Sequence, residues 1–217
     1  MNPLDLVAVA VLVLFGSRLA ISFRRSLHEG ARARTTQIVR GVRARHVLPV
    51  PLVIASVIGA ATALVQIPGL SFGWWSALGG VGNPAFGMTE TNIGNPFFDA
   101  VPLFFLVLLI PALPLLVERE EELFRLGAEE WTGFKRVWRS IWFGLVHAAV
   151  GIPVGVALAL SIGGGWFTFA YLRGVRVGGT PRAGVLESAR AHLAYNATIV
   201  ALVTVLLVWD FIAVHVV

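Results

Sequence analysis

The 217-residue chain has no cysteine, which excludes a disulfide framework, a thiolate metal site and a cysteine nucleophile. Charge is also scarce. Only 13% of residues are charged while 57% are hydrophobic, more apolar than a soluble domain of this length needs for its core. Mean hydropathy is +0.80, the composition of an integral membrane protein. The stretch 71–96 lacks lysine and arginine altogether, and no positive region precedes the first apolar segment. Residues 3–21 therefore read as a retained transmembrane helix rather than a cleaved signal peptide. The net charge of +5 would suit nucleic acid, but the basic residues sit in short loops between apolar segments, which is a topology signal; no nucleic-acid partner is expected.

What is present is a series of apolar segments, expected to cross the bilayer at 3–21, 47–67, 97–117, about 140–151, 153–172 and about 191–217. All 17 lysines and arginines fall at the end of the first segment, in 23–46, between Glu118 and Arg139, and between Arg173 and Arg190. Six spans with both termini outside put every basic loop in the cytoplasm. The loop 71–96, with its glycines, asparagines and the Trp74-Trp75 pair, belongs to the outer face, its tryptophans at the interface. Part of 23–46 reads as an amphipathic segment on anionic lipid or as a topogenic loop. Pro111 and Pro114 are expected to bend the third span, and Gly163-Gly164-Gly165 permits a close helix approach. No internal repeat is evident, which leaves a transporter reading without support. The expected architecture is all-α, one polytopic transmembrane bundle over residues 1–217 in the plasma membrane, with a polar cavity open to the cytoplasmic side.

The acidic run Glu118-Arg119-Glu120-Glu121-Glu122 follows the third span directly. A solvated helix end would explain it, but two later segments also carry polar groups inside apolar surroundings: Phe143-xxx-His147 and His192-xxx-Asn196. Ionisable groups placed there are costly and usually functional. His147 lies eight residues past Arg139, ~12 Å deep at the helical rise, and Asn196 six residues past Arg190, ~9 Å deep. Three helices thus deliver polar groups to one layer near the cytoplasmic boundary.

Glu120-Glu121-xxx-Arg125, Phe143-xxx-His147 and His192-xxx-Asn196, in this order on successive hydrophobic stretches, resemble the motifs of the CPBP family of intramembrane proteases, the CAAX proteases and bacteriocin-processing enzymes also called ABI proteins. The resemblance covers a core of about residues 104–208. The chain departs from the family pattern at Leu126, which precedes Gly127, and at Glu122, where an apolar residue is usual. The resemblance implies an endopeptidase acting on a membrane-attached polypeptide, in CAAX-type C-terminal trimming or in peptide maturation and immunity.

The residue chemistry is compatible with hydrolysis. Glu121 and Arg125, at i and i+4, can pair on one helix face, leaving Glu120, about 100° around the helix, as the base. His147 would hold the same water, and His192 with Asn196 would stabilise the oxyanion. Glu120, His147 and His192 could alternatively hold zinc, although no His-Glu-x-x-His is present and metal-independent catalysis is the expectation. Phe143 is expected to shape the pocket. His46, Asp210 and His215 receive no role, and Glu129 and Glu130 read as a solvated face. The other class is a non-catalytic membrane binding or immunity protein that keeps the motifs for helix packing.

Overall fold

The computed structural model describes residues 3–81, 88–90 and 96–215; much of the expected outer loop, at 82–87 and 91–95, lies outside the described residues, as do the side chains of Asp210 and His215. The chain is helical, and among the described residues β-structure is confined to one isolated bridge between Gly80 and Thr89. In chain order the helices are α1 (Pro3–Ser26), α2 (Glu29–Arg40), α3 (Ala44–Val47), α4 (Val50–Leu64), α5 (Trp74–Ala77), α6 (Pro96–Arg125), α7 (Gly133–Leu145), α8 (Val154–Ala159), α9 (Ser161–Gly178) and α10 (Pro181–His215). Among the described residues, five helical stretches are long and apolar enough to cross a membrane: Leu6–Ser26, Ala44–Leu64, Ala100–Glu130, Val154–Gly178 and Pro181–Ala213. Large apolar side chains such as Val13, Leu52, Ile58, Phe104, Val107, Val205 and Leu206 point out of the bundle, as lipid-facing helices require.

Three boundaries differ from the sequence-based expectation. The acidic run is not a free helix end, because α6 continues through it to Arg125 with Pro102, Pro111 and Pro114 inside the helix. Its 30 residues are ~45 Å long at the helical rise, well beyond the ~30 Å apolar layer. The expected fourth span at 140–151 is the end of α7 followed by a 3₁₀ segment, Val146–Val150, which stops at Gly151 in the left-handed region (φ +88°). Helix α7 begins earlier, where the Thr132 side chain caps it by accepting from the Lys135 N–H at 3.3 Å. The last helix starts ten residues before the expected 191. Gly179 takes φ +68°, Thr180 accepts from the Ala183 N–H at 3.2 Å, and Pro181 opens the helix, so α9 and α10 form a tight hairpin where a loop was expected.

Small residues bring these helices together. On α10, Ala189, Ala191 and Ala194 are buried against α6, α9 and the loop-side helix α2. A Cβ at Gly174 would come within 2.6–2.9 Å of Glu187, Ala183 and Gly184, so only glycine allows α9 this close to α10. Of the expected glycine trio only Gly164 makes a close approach: a Cβ there would stand 2.9 Å from the Ser140 carbonyl oxygen on α7, whereas one at Gly165 would meet nothing within 4 Å.

The two ends of the bundle are tied differently. At one end the Arg136 side chain donates to the carbonyls of Ala128 and Glu129, and that of Arg139 to the carbonyl of Leu123, joining α7 to the end of α6. At the other end the segment after α4 meets the segment before α8. There the Val154 N–H donates to Phe72 (2.9 Å), the Gly155 N–H to Leu70 (2.7 Å) and the Trp74 indole to Ala149 (3.2 Å).

Candidate active site

The site forms where α6 and α10 cross, with α7 and α9 closing it. Glu121 has no exposed surface, and Arg125, one turn later, is 1% exposed. The guanidinium donates to Glu121 Oε1 at 3.0 Å and sits over the Phe143 ring at 4.1 Å. Its second nitrogen reaches the Gly164 carbonyl at 3.4 Å, which the close approach of α7 and α9 makes possible. A buried carboxylate of this kind is stable only when paired and hydrogen-bonded, and the helix supplies the pair at i, i+4.

Two side chains of α10 complete the shell. The Ser188 hydroxyl donates to Glu121 Oε2 and also lies 2.9 Å from the Phe167 carbonyl, with one proton for the two acceptors. His192 Nδ1 is 2.7 Å from Glu121 Oε1. A carboxylate already held by Arg125 accepts, so Nδ1 carries the proton. Nε2 then faces Glu120, whose Oε2 is 3.8 Å away on a side chain 40% exposed. The imidazole is clamped by Phe167, stacked at 4.2 Å and 18°, and by the edge of Phe143 at 5.6 Å.

Of the sequence-derived set, Glu120, Glu121, Arg125 and His192 are thus brought together. His147 reaches them through Phe143: its ring is 5.1 Å from the Phe143 ring and its Nδ1 is 2.8 Å from the Phe143 carbonyl. Asn196 sits one turn beyond His192 on α10, half-buried, with no side-chain hydrogen bond among the described residues. For the zinc alternative of Glu120, His147 and His192, the nearest approach is Glu120 Oε2 to His192 Nε2 at 3.8 Å, and no group of three histidine, aspartate or glutamate side chains poised for a metal is found among the described residues. Phe143 shapes the site as expected of it, touching Arg125, His147, His192 and Phe167.

Sequence reasoning missed Ser188 and Phe167. Ser188, His192 and Asn196 form one stripe at i, i+4 and i+8, a signal hidden by the expectation that residues before 191 formed a loop. The rest of the acidic run is also partnered. Glu118, 2% exposed, pairs with Arg34 of α2 at 2.8 Å and with Arg182 of α10; Glu122 pairs with Arg182 at 2.8 Å. Two further assignments need correction. Glu129 is not simply a solvated face, because it accepts from the Tyr171 hydroxyl at 2.7 Å. His46, given no role, is buried beside Glu187.

In comparisons with known proteins, no family model matches the sequence, no curated protein matches it, and no solved structure matches the fold.

Proposed function

We propose that the chain is a membrane-embedded endopeptidase of the CPBP type, cleaving a membrane-attached polypeptide with water activated by Glu120. The observation that carries this reading is His192, held by a buried carboxylate on one nitrogen and turned toward Glu120 on the other. An acceptor on Nδ1 fixes the tautomer and orientation of an imidazole so that Nε2 can exchange a proton, the logic of a base oriented by a third group. A water entering between Glu120 and Nε2, 3.8 Å apart, would donate to both groups. Glu120 takes its proton as the water attacks the carbonyl, the Asn196 amide meets the developing oxyanion, and collapse of the adduct breaks the C–N bond as the leaving amine takes the proton from Glu120. His147 approaches from α7 and shares the water. Glu121 and Arg125 position this machinery and do not react.

The same reading takes the chain as six crossings. The segment from α7 to Val150 is too short and irregular to qualify as a membrane helix by itself. It nevertheless bonds to opposite ends of the bundle, Arg139 donating to the Leu123 carbonyl and Ala149 accepting from the Trp74 indole. Six crossings keep the arginines on one face, in the plasma membrane with both termini outside, and open the site toward the cytoplasm.

The alternative, a non-catalytic binding or immunity protein, is favoured by one observation: Glu121, Arg125 and Ser188 satisfy one another so fully that they also make a good packing lock. Processing of native membrane polypeptides separates the two. In membranes carrying Glu120→Gln at wild-type abundance, cleavage products present with the intact protein should disappear; Asn196→Ala should slow cleavage by ~10²–10³, the usual loss of one oxyanion donor. Unchanged products across Glu120→Gln, His192→Gln and His147→Ala would leave the packing role.

A further inference from the structure

A second cluster of charge lies away from the catalytic layer, where α3, α9 and α10 meet. Glu187, 6% exposed, gathers cations on one carboxylate. Arg45 holds it with two bonds, Nε to Oε1 at 2.8 Å and Nη2 to Oε2 at 3.1 Å. Arg173 adds a third at 3.0 Å, His46 Nε2 stands 3.1 Å from Oε1, and Arg190 is 3.7 Å from Oε2. His46 is oriented for this by accepting the Arg43 N–H on Nδ1 at 2.9 Å, which leaves the proton on Nε2.

Three guanidiniums around one carboxylate leave a local charge of +2, and the carboxylate fixes their planes. Arg45 and Arg173 remain 46% and 43% exposed, and their other guanidinium nitrogens have no partner among the described residues. Arg190 Nε is buried and also unpartnered. These groups line a cavity of about 240 Å³. A second cavity of about 150 Å³ shares Arg45, Arg173 and Glu187 and continues along Trp166 and Phe169, which stack at 5.6 Å. The Trp166 indole nitrogen itself is buried and has no acceptor among the described residues.

We propose that this double pocket binds the phosphate of an anionic phospholipid headgroup, with the first acyl segment lying along Trp166 and Phe169. Guanidinium forks suit phosphate oxygens, and the net positive charge favours an anionic over a zwitterionic headgroup. The cluster lies at the arginine-bearing end of the bundle, which on the topology proposed above meets the headgroups of the cytoplasmic leaflet, and the smaller cavity extends from it along Trp166 and Phe169. The site is independent of the catalytic reading, since none of its residues belongs to the Glu120–His192 layer.

The test is native mass spectrometry of the full chain in a non-ionic detergent, titrated with phosphatidylglycerol or phosphatidylcholine and, separately, with inorganic phosphate as competitor. Phosphatidylglycerol should bind in preference to phosphatidylcholine. Removing two headgroup arginines in Arg45→Gln/Arg173→Gln should weaken it by about tenfold or more. Because that double variant also loosens Glu187 and could impair folding, Val177→Trp serves as a second variant. Val177 is 79% exposed at the mouth of the larger cavity, so the indole blocks entry without altering charge. It should lower phosphatidylglycerol binding in a protein whose thermal unfolding without lipid is unchanged. Equal binding of the two lipids, or an unchanged preference in Val177→Trp, would overturn the proposal. Displacement of phosphatidylglycerol by millimolar phosphate would assign the pocket to a free anion and overturn the lipid assignment.

Discussion

Glu120 and Glu121 are neighbours in sequence with opposite environments, and their amide variants should separate stability from chemistry. Glu121→Gln leaves Arg125 as a charge 1% exposed without its carboxylate, a change that typically costs about 3–5 kcal/mol. Glu120 is 40% exposed and 3.8 Å from its nearest partner, so Glu120→Gln should change stability by no more than ~1 kcal/mol. Thermal unfolding of both variants in one detergent measures this difference; equal losses would mean that Glu120 is structural too. The pairing of Glu121 with Arg125 was legible in the sequence because i, i+4 spacing is a local property of a helix. The contact of His192 with Glu121 was not, since it depends on how α10 crosses α6. His192 was accordingly assigned to the oxyanion with Asn196, whereas its Nδ1 is committed to a carboxylate.

Helices whose pattern is carried by long apolar runs were easy to place, and the misplaced boundaries share a cause. At 173–190 four arginines suggested a loop, but Arg173, Arg176 and Arg182 are exposed on helices whose inner faces carry small residues such as Gly174, Gly184, Ser188 and Ala189, too small to register as an apolar stripe. At 118–125 the charges suggested a helix end, yet each carboxylate of the run has a cation or imidazole nearby, so the helix continues. Small-residue packing makes a direct prediction on α9. A methyl group at Gly164 meets the α7 backbone at 2.9 Å and the Phe143 ring at 3.1 Å, so Gly164→Ala should destabilise by about 1–3 kcal/mol through overpacking. Gly165→Ala, with nothing within 4 Å, should be neutral or gain up to ~1 kcal/mol from helix propensity. Their unfolding temperatures, compared side by side, check the contact; similar values would mean that α7 and α9 are less closely apposed.

At the scale of the whole molecule, the two ends of the bundle differ in chemistry. One carries the ion pairs that join α2, α6 and α10 through Arg34, Glu118, Glu122 and Arg182, together with the Glu187 cluster. The other is closed by hydrogen bonds between 70–74 and 149–155, and the sequence from 46 to 118 and from 140 to 172 that supplies it holds no arginine. If the basic end is cytoplasmic, Ser76 and Ala149 both face outside, since the Trp74 indole donates to the Ala149 carbonyl; a path with α7 lying on the membrane surface would instead leave Ala149 inside. The chain has no cysteine, so single-cysteine variants need no further changes. Cysteines at Ser76 and Ala149 in intact cells should react with an impermeant thiol reagent, while one at Thr36 should react only after the membrane is opened. Labelling of Thr36→Cys from outside would invert the topology. Protection of Ala149→Cys alongside labelled Ser76→Cys would remove the fourth crossing, and with it the approach of His147 to a site shared with Glu120.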